Sequence, residues 1–374
     1  MITSETEKNN YQAALLKNRL TKRFKLLRKW ARKEQVTCYR IYDKDIPEIP
    51  LAIDLYTFLP EEIQTKQAAL AFTRQEEKAI SENNAAAIAQ AEDRRWLHLF
   101  LYERPYERDA QLEEAWLKKM AEAARMILHV QESHVITKLR KKQRGENQYE
   151  KNTQVEGGGI GLVQECGEIF KINLREYLDT GLFFDHRPLR KLVRASSKGK
   201  RVLNLFCYTG SFSVYAAAGG ASFVESVDLS NTYLSWAVEN MHQNNFFGDV
   251  YCFTRSDVCE FLAKKTALPD ENENRYDIII LDPPTFSNSK ALKTIFDVNR
   301  DWASLCSNCL ELLNAGGTLY FSTNSRKLIF DQEKLPQITK KGKAICISDI
   351  TEESLPEDFK GSKNRRCWKL QIAK

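Results

Sequence analysis

The second half of the chain alternates short apolar segments with helical patterns, and this alternation restricts the possible folds more than any other feature. The apolar segments are RVLNLF, SFVESVD, VYCFT, YDIIIL and GTLYFST, and the helical stretches begin near Ser211, Ser230, Ser256 and Phe296. Nearly continuous apolar strands that alternate with helices predict an α/β fold whose mostly parallel sheet carries helices on both faces. Two closing strands, KAICISDI and RRCWKLQIA, have little helix between them and predict an antiparallel end to that sheet.

The first half predicts a separate, smaller α/β domain. A chain of 374 residues is too long for one ordinary core, so we expect two domains, residues 1–184 and 185–374. About residues 61–96, a segment rich in Ala, Glu and Gln predicts one long helix or a helical hairpin broken near SENN. A β-hairpin is expected around Cys166-Gly167. Residues 5–34 predict one basic amphipathic helix, whose apolar stripe contains Leu15, Leu16, Leu20, Phe24, Leu27 and Trp30.

Composition is typical of a soluble globular protein, with 43% hydrophobic and 28% charged residues. No apolar run approaches the length of a membrane span, and the N-terminus lacks the apolar core of a signal peptide, so a cytoplasmic location without membrane contact is expected. Nine cysteines are scattered along the chain. The pair Cys306 and Cys309 falls inside a helical apolar pattern, which predicts thiols of the core or the helix surface and no metal site.

The net charge of +6 is small for the length, so its distribution is more informative than its size. Basic clusters span residues 17–33, 138–145 and 186–201, in or just after the N-terminal half. Such clusters are often only solvated faces. Three of them on one side of the chain indicate a polyanionic partner.

Polar residues mark the ends of successive predicted strands. The first strand leads into NLFCYTGSF, where a turn at Gly210 precedes a helix but no GxGxxG pattern occurs, which disfavours a nicotinamide dehydrogenase. The second strand ends at Asp228, where an acid can accept both hydroxyls of a ribose. The third is followed by Ser256 and Asp257, and the simplest interpretation is that one of the two caps the next helix. The fourth ends in Asp282-Pro283-Pro284, a rigid bend that cannot continue a central strand.

The order of these signals resembles the class I S-adenosylmethionine-dependent methyltransferases, which have a Rossmann-like fold. By this resemblance Asp282, Pro283, Pro284 and Phe286 hold the target base beside the methyl donor. The DTGLFFDHRP segment closes over the cofactor; the less favoured alternative is an interdomain linker whose apolar residues pack the interface. The residues that the resemblance assigns to S-adenosyl-L-methionine are Phe184, Asp185, Arg187, Asn204, Cys207, Tyr208, Gly210, Asp228, Asp257, Val258 and Asp282.

The chain resembles one methyltransferase family more closely, the RlmK family. The resemblance rests on the blocks KWAR, CYRIYDKDIPE, KQRGENQYEK, YLDTGLFFDHR, NLFCYTGSFSVYAA, DPPTFSNSK, FDVNRD and NRRCWKL. It implies methylation of guanine N7 in 23S rRNA, in helix 74 near the peptidyl transferase centre. No half resembling RlmL precedes Met1, so we expect the stand-alone form, with a separate RlmL-like protein as a possible partner. The segment 61–96 has no counterpart that we recognise in the fused family members, and its mixed charge does not favour RNA contact.

The resemblance also implies which residues contact RNA. The N-terminal module supplies contacts to the RNA backbone from its basic clusters, and aromatic residues at the strand ends stack on a base flipped from its helix. The expected RNA-binding residues are Arg23, Lys29, Arg140, Lys141, Lys142, Arg144, Tyr208 and Lys290.

Several chemistries remain open from the residues alone. Methylation of pyrimidine carbon-5 needs a cysteine nucleophile, and the stretch Ser322-Thr323-Asn324 has none, so this reaction is disfavoured. Guanine N7 and the guanine 2-amino group are both compatible with Asp282, and the choice of N7 depends on the family resemblance. A non-catalytic RNA-binding or ribosome-assembly factor with the same fold is an alternative of another class. A DNA amino-methyltransferase is a weaker third option.

Overall fold

The computed structural model describes residues 4–106, 108–140, 158–177, 179–269, 271–287, 295–340, 342–363 and 365–374, without the side chains of Leu139, Arg140 and Asn272. The chain divides into two compact units, Met1–Phe184 and Asp185–Lys374. None of the helices among the described residues is long and apolar enough to cross a membrane.

The first unit contains one sheet flanked by long helices and a separate hairpin. Strands β1, β2 and β3 are antiparallel neighbours, and β4 joins the edge of β3 in parallel. Helices α1 and α4 cover one face of this sheet. The elements are α1 (Glu5–Glu34), β1 (Cys38–Asp43), β2 (Leu51–Thr57), α2 (Lys66–Ser81), α3 (Ala85–Asp93), β3 (Arg95–Tyr102), α4 (Ala110–Leu128), β4 (Val135–Arg140), β5 (Ile160–Glu165) and β6 (Glu168–Asn173).

Helix α1 has the bounds that its amphipathic pattern predicts. Ser4 accepts a hydrogen bond from the Glu7 N–H, and the Glu7 carboxylate accepts one from the Ser4 N–H, so a capping box begins the helix. Leu16, Leu20 and Leu27 of the predicted stripe are fully buried against the sheet. The other stripe residues, Leu15, Phe24 and Trp30, are partly buried against the same core.

The segment 61–96 forms the helical hairpin that its sequence allowed, α2 and α3, and ends in the first residues of β3. It is not a free surface appendage, because Ala69 packs with Leu162 and Ile169 of the β5–β6 hairpin. Lys66 also forms an ion pair of 2.6 Å with the buried carboxylate of Glu168. The β5–β6 hairpin itself turns at Cys166 and Gly167, both at positive φ, as predicted.

The second unit is built on a mixed sheet. Its described residues form seven strands in the order β14-β15-β13-β10-β7-β8-β9, in which β15 is antiparallel to both neighbours and the remaining pairs are parallel. The elements are α5 (Arg187–Ser196), β7 (Arg201–Leu205), α6 (Ser211–Ala218), β8 (Phe223–Asp228), α7 (Asn231–Gln243), β9 (Tyr251–Arg255), α8 (Val258–Thr266), β10 (Tyr276–Leu281), β11 (Phe286–Ser287), β12 (Phe296–Asp297), α9 (Val298–Glu311), β13 (Leu313–Thr323), β14 (Ile345–Asp349) and β15 (Arg366–Ile372).

This topology confirms the predicted fold class. The chain runs from β7 outwards to β9 and then returns to the other side of β7 as β10, so the strand order reverses between β7 and β10. Helices bury both faces of the sheet, with Leu203, Ile279 and Phe321 in one core and Val202 and Ile280 in the other. Cys306 and Cys309 of α9 lie fully buried in the first core, which confirms that they are core thiols.

Candidate active site

The carboxyl ends of β7, β8, β9 and β10 bring the predicted polar residues to one edge of the sheet. Leu281 pairs with Leu205, Leu205 pairs with Val227, and Asp228 pairs with Arg255, so the four strands end side by side. The strand order reverses between β7 and β10, and open α/β sheets bind their ligands in the crevice at such a reversal.

The loop after β7 has an unusual backbone. Within the described stretch 206–210, Phe206, Tyr208 and Gly210 have φ angles of 54°, 50° and 73°. A left-handed conformation costs a residue with a side chain about 1–2 kcal/mol, and such strain tends to accumulate at ligand sites. Hydrogen bonds that hold the loop in place run from the Cys207 N–H to the Val227 carbonyl (3.0 Å), from the Tyr208 N–H to Asp228 Oδ2 (3.0 Å) and from Asn240 Nδ2 to the Thr209 carbonyl (2.9 Å).

Gly210 ends this loop and begins α6. A Cβ atom at this position would lie only 2.7 Å from the Cβ of Ala237 in α7. A side chain is therefore excluded both by the positive φ and by the close approach of α7.

Asp228 at the end of β8 is the acid nearest to the strained loop. Its Oδ2 accepts the Tyr208 N–H, and its Oδ1 accepts the Ser230 N–H at 2.9 Å. Burial raises the pKa of this carboxyl, and the backbone hydrogen bonds partly oppose the increase. Each carboxylate oxygen has a second lone pair, so Asp228 can still accept hydroxyl donors from a ligand.

Asn204 and Cys207 are buried, and their described side-chain contacts are with other protein groups. Asn204 Nδ2 donates to Ser213 Oγ at 2.9 Å, and Ser213 Oγ lies 2.8 Å from Ser226 Oγ, so this buried chain of polar groups ties β7 to α6 and β8. The Cys207 thiol is buried, and its pKa is raised by burial and by the charge of Asp228. Their predicted contacts with the methionine part of the cofactor stay predictions.

Of the two capping residues that the sequence allowed, Asp257 is the one that caps α8. Its Oδ1 accepts the Glu260 N–H at 2.9 Å. The side chain of Val258 is buried in the core, so only its backbone can face a ligand in the crevice. Contact of these two residues with adenine stays a prediction.

Asp282 directly follows β10 and is held on both carboxylate oxygens. Ser322 Oγ in β13 donates to Oδ1 at 2.5 Å, and His186 Nε2 lies 3.2 Å from Oδ2. Burial raises the pKa of Asp282, but the combined effect of His186, Ser322 and Arg365 outweighs it and holds the pKa below its usual value. The side chain remains 27% exposed, so Asp282 is not completely enclosed by the protein.

The residues after Asp282 form a rigid bend. Pro283 is buried, Pro284 is half-buried, and Thr285 Oγ1 donates to Asn324 Oδ1 at 2.5 Å. Phe286 then pairs with Asp297 in the short ribbon of β11 and β12, and its side chain is 48% exposed. An exposed aromatic ring thus lies four residues after the carboxylate, where a planar ligand could stack on it.

The segment before α5 contains residues assigned to the cofactor by resemblance. The Phe184 ring packs against Tyr56, with ring centroids 5.4 Å apart. The Asp185 carbonyl accepts a hydrogen bond from Arg365 Nη2 at 2.9 Å. Arg187 is only 2% exposed and forms a buried ion pair of 2.9 Å with Asp358. These contacts give all three residues structural roles, and their cofactor contacts stay predictions.

Comparison with known proteins decides the family. The model of the S-adenosylmethionine-dependent methyltransferase family matches residues 89–345. Ribosomal RNA large subunit methyltransferase K of Neisseria meningitidis serogroup B is 38% identical over 354 residues, which cover 95% of this chain and 86% of that protein. The chain belongs to the RlmK family of S-adenosylmethionine-dependent methyltransferases.

Other RlmK relatives are parts of longer proteins. Ribosomal RNA large subunit methyltransferase K/L of Pseudoalteromonas atlantica is 39% identical over 372 residues, which cover 99% of this chain but 45% of that protein. The chain therefore spans less than half the length of this relative. Among solved structures, SMU.776 complexed with SAH has a TM-score of 0.67 over 96% of this chain and 82% of its own, at 21% identity, and shares the fold.

S-adenosylmethionine is the cofactor of this family. The described residues of this RlmK-family chain fit S-adenosylmethionine. The strained Phe206–Gly210 loop, Asp228 at the end of β8 and the capping residue Asp257 after β9 lie at the same edge of the sheet. Asp228 would hold the ribose hydroxyls, Asp257 and the Val258 backbone the adenine, and the Phe206–Gly210 loop the methionine part. Within the described ranges, no cluster of His, Cys, Asp and Glu side chains is arranged to hold a metal ion.

The expected RNA-binding residues of the RlmK-family chain are only partly described. Lys29 is exposed on α1, whereas Arg23 Nε donates to the Ile41 carbonyl at 3.5 Å. The Tyr208 ring packs edge-to-face on Tyr233, with centroids 4.6 Å apart, so it is not a free stacking platform. The side chain of Arg140 and the whole of Lys141, Lys142, Arg144 and Lys290 lie outside the described residues.

Some described residues of two basic clusters are less available to RNA than their composition suggests. In the cluster 186–201, His186, Arg187 and Arg190 are all buried, so the expectation that this cluster as a whole faces RNA is wrong. Lys138, in the cluster 138–145, donates inwards to the Tyr177 carbonyl, and burial lowers the pKa of its amine to about 8. Sequence composition counts charges, but it does not show which of them have partners inside the fold.

Three polar contributors to the site were missed from the sequence. His186 appeared only as part of a basic cluster, Ser322 only as a position without cysteine, and Arg365 only within a family block. In the structure His186 and Ser322 contact Asp282, and Arg365 contacts the carbonyl of Asp185, the residue before His186. Their separation along the chain leaves no signal in a single sequence that links them to Asp282.

Proposed function

We propose that this chain transfers a methyl group from S-adenosylmethionine to N7 of a guanosine in 23S rRNA, in helix 74 near the peptidyl transferase centre. The observation that carries the proposal is the carboxylate of Asp282, which is held on both oxygens at the end of β10 in a side chain that remains 27% exposed. The likeness over nearly the whole chain to ribosomal RNA large subunit methyltransferase K supports ribosomal RNA as the substrate.

Methylation of guanine N7 requires the protein mainly to position the base. The cofactor supplies an electrophilic methyl on its sulfonium. Guanine N7 carries a lone pair that is already nucleophilic, so the protein has to hold the base in line rather than remove a proton first. Asp282, whose pKa lies below its usual value, is a carboxylate at neutral pH and can accept hydrogen bonds from N1–H and the 2-amino group of guanine.

The exposed ring of Phe286 completes the proposed base pocket. It lies on the ribbon that follows the Asp282-Pro283-Pro284 bend, and its exposed surface allows it to stack on a base flipped out of its helix. The exposed Lys29 on α1 would contribute to binding of the RNA backbone by the first unit.

Methylation of pyrimidine carbon-5 is not supported by the described thiols near this edge. It requires a thiolate that adds to the ring. Cys207 and Cys367 are both buried, and burial raises the pKa of both thiols, that of Cys367 to about 12. Neither thiol is a nucleophile at neutral pH.

The test is methyl transfer from labelled S-adenosylmethionine to 23S rRNA that lacks the modification, with the product nucleoside identified by mass spectrometry. Asp282→Ala is the test variant, and Asp249→Ala, at an exposed position in the loop before β9, is the matched control. We expect 7-methylguanosine from the wild type and the control, and at least a 100-fold lower rate from Asp282→Ala. A 2-methylguanosine product would move the target to the 2-amino group. Cofactor binding without transfer to the rRNA or to an assembling ribosomal particle would favour a binding factor.

A further inference from the structure

His186 is a buried histidine, and its ring contacts the carboxylate of Asp282. The side chain is 5% exposed, and its Nε2 lies 3.2 Å from Asp282 Oδ2. Its Nδ1 is buried and has no hydrogen-bond partner among the described residues. Because a carboxylate only accepts, the ring nitrogen that faces it carries the hydrogen, so Nε2–H donates to Asp282.

The imidazole ring is held by packing and by its backbone. Phe212 of α6 contacts it edge-on, with centroids 5.5 Å apart. The preceding carbonyl, that of Asp185, accepts a hydrogen bond from Arg365 Nη2 at 2.9 Å. The same nitrogen donates to the Ser354 carbonyl at 2.5 Å, and Arg365 is only 3% exposed. The guanidinium therefore fixes the backbone directly before His186.

The opposite oxygen of Asp282 is held from the neighbouring strand. Ser322 of β13 is fully buried and donates to Oδ1, so the carboxylate plane is fixed by one donor on each oxygen. A carboxyl group otherwise rotates easily about its terminal bond, because that torsion has broad minima. With only Ser322 left, Asp282 would keep its position but lose its defined orientation.

We propose that His186 is a positioning residue for methyl transfer, which orients the carboxylate of Asp282 towards the target base and is itself fixed by Arg365. This inference rests on the proposed function, since it assigns the acceptor role to Asp282. A positioning residue of this kind needs no direct contact with the cofactor or the base. It acts through the direction of the Asp282 lone pairs, and a small error in the placement of a reacting group can reduce a rate about 100-fold.

The kinetic arm compares His186→Phe, which keeps a flat ring but loses the donor, with His186→Gln, whose amide can donate to Asp282. His242→Phe is the matched control, because His242 is exposed on α7 and stacks on Phe247. We expect a 10- to 100-fold lower kcat for His186→Phe, a partial recovery in His186→Gln and wild-type kinetics in the control. The affinity for S-adenosylmethionine, measured by calorimetry, should change less than threefold in all of them.

A second arm does not depend on catalysis. The carboxyl carbon of Asp282 is followed by NMR against pH in protein without cofactor. Burial raises the pKa of Asp282, and the described groups that lower it are His186, Ser322 and Arg365. We expect the Asp282 carboxyl to titrate below an ordinary aspartate in the wild type and at higher pH in His186→Phe, with His186→Gln between them.

The outcomes separate this inference from the proposed function. If the wild type makes another methylated nucleoside or none, the proposed function fails, and the titration arm still tests the contact between His186 and Asp282. If His186→Phe has wild-type kcat and an unshifted titration, the positioning role is wrong. If His186→Phe does not fold, Arg365→Lys and His186→Gln test the same chain of contacts. Wild-type kcat and an unshifted titration in both variants would also overturn it.

Discussion

Replacing Asp228 with alanine should separate cofactor affinity from fold stability. In the protein without cofactor, Asp228 accepts the N–H groups of Tyr208 and Ser230, at 3.0 and 2.9 Å. A hydrogen bond to a charged acceptor contributes about 1.5–3 kcal/mol. Burial already disfavours the ionised carboxyl, and water can reach the half-buried site, so we expect a net loss of only about 1–2 kcal/mol in the free energy of unfolding.

The loss of cofactor affinity should be larger. The proposed role of Asp228 is to accept two ribose hydroxyls, and the loss of two hydrogen bonds to a charged group costs about 3 kcal/mol or more, which is at least 100-fold in Kd. Calorimetric titration of S-adenosylmethionine into Asp228→Ala, with Asp249→Ala as the control, measures this directly. A fall of about 3–6 °C in Tm should accompany it. A Kd within threefold of the wild type, in a folded Asp228→Ala protein, would refute the assignment of the ribose to Asp228.

Three further predictions concern stability and RNA binding. Gly210→Ala should lower the free energy of unfolding by about 2–4 kcal/mol in urea titrations, because a Cβ at φ +73° would lie 2.7 Å from Ala237, and unchanged stability would contradict the contact. Lys138→Met should raise the Tm at pH 7, because burial lowers the pKa of the Lys138 amine to about 8, below its unfolded value. Below about pH 8 the buried amine is charged, which destabilises the folded wild type. The gain in Tm should therefore disappear as the pH rises from about 8 to about 10.5. A gain that does not depend on pH would show that burial of the charge is not its cause. Lys29→Glu should raise the KM for RNA, more strongly at low salt, and leave cofactor affinity unchanged, whereas an unchanged KM would remove α1 from the footprint.

The fold was predictable because its signals are local or follow from topology. Each strand of the second unit is a short apolar run between turn residues, and alternation with helices requires parallel strands. Once the strands are parallel, their carboxyl ends share one edge, so Asp228, Asp257 and Asp282 could be brought together from sequence alone. The N-cap at Asp257 was predictable for the same reason, since capping depends on residues within one turn.

The internal partners of the site were not predictable, because they depend on packing between distant segments. The sequence gives no spacing from which two contacts could be predicted: that of His186 with Asp282, and that of Arg365 with the Asp185 carbonyl. Arg187 was counted in a basic cluster and assigned to the cofactor by resemblance, and its buried ion pair with Asp358 has no signal in the sequence. Gly210 was read as a turn glycine, and the close approach of Ala237 became visible only once α7 was placed against the loop.

The central claim is transfer to guanine N7, and RNA made with 7-deazaguanosine tests it most directly. This base keeps the N1–H and 2-amino group that Asp282 is proposed to accept, but carbon replaces N7, so no lone pair is available for the methyl. The account predicts wild-type affinity for the substituted 23S transcript and no methyl transfer to it, beside full transfer to the ordinary transcript. Undiminished transfer to the 7-deazaguanosine transcript would contradict the account.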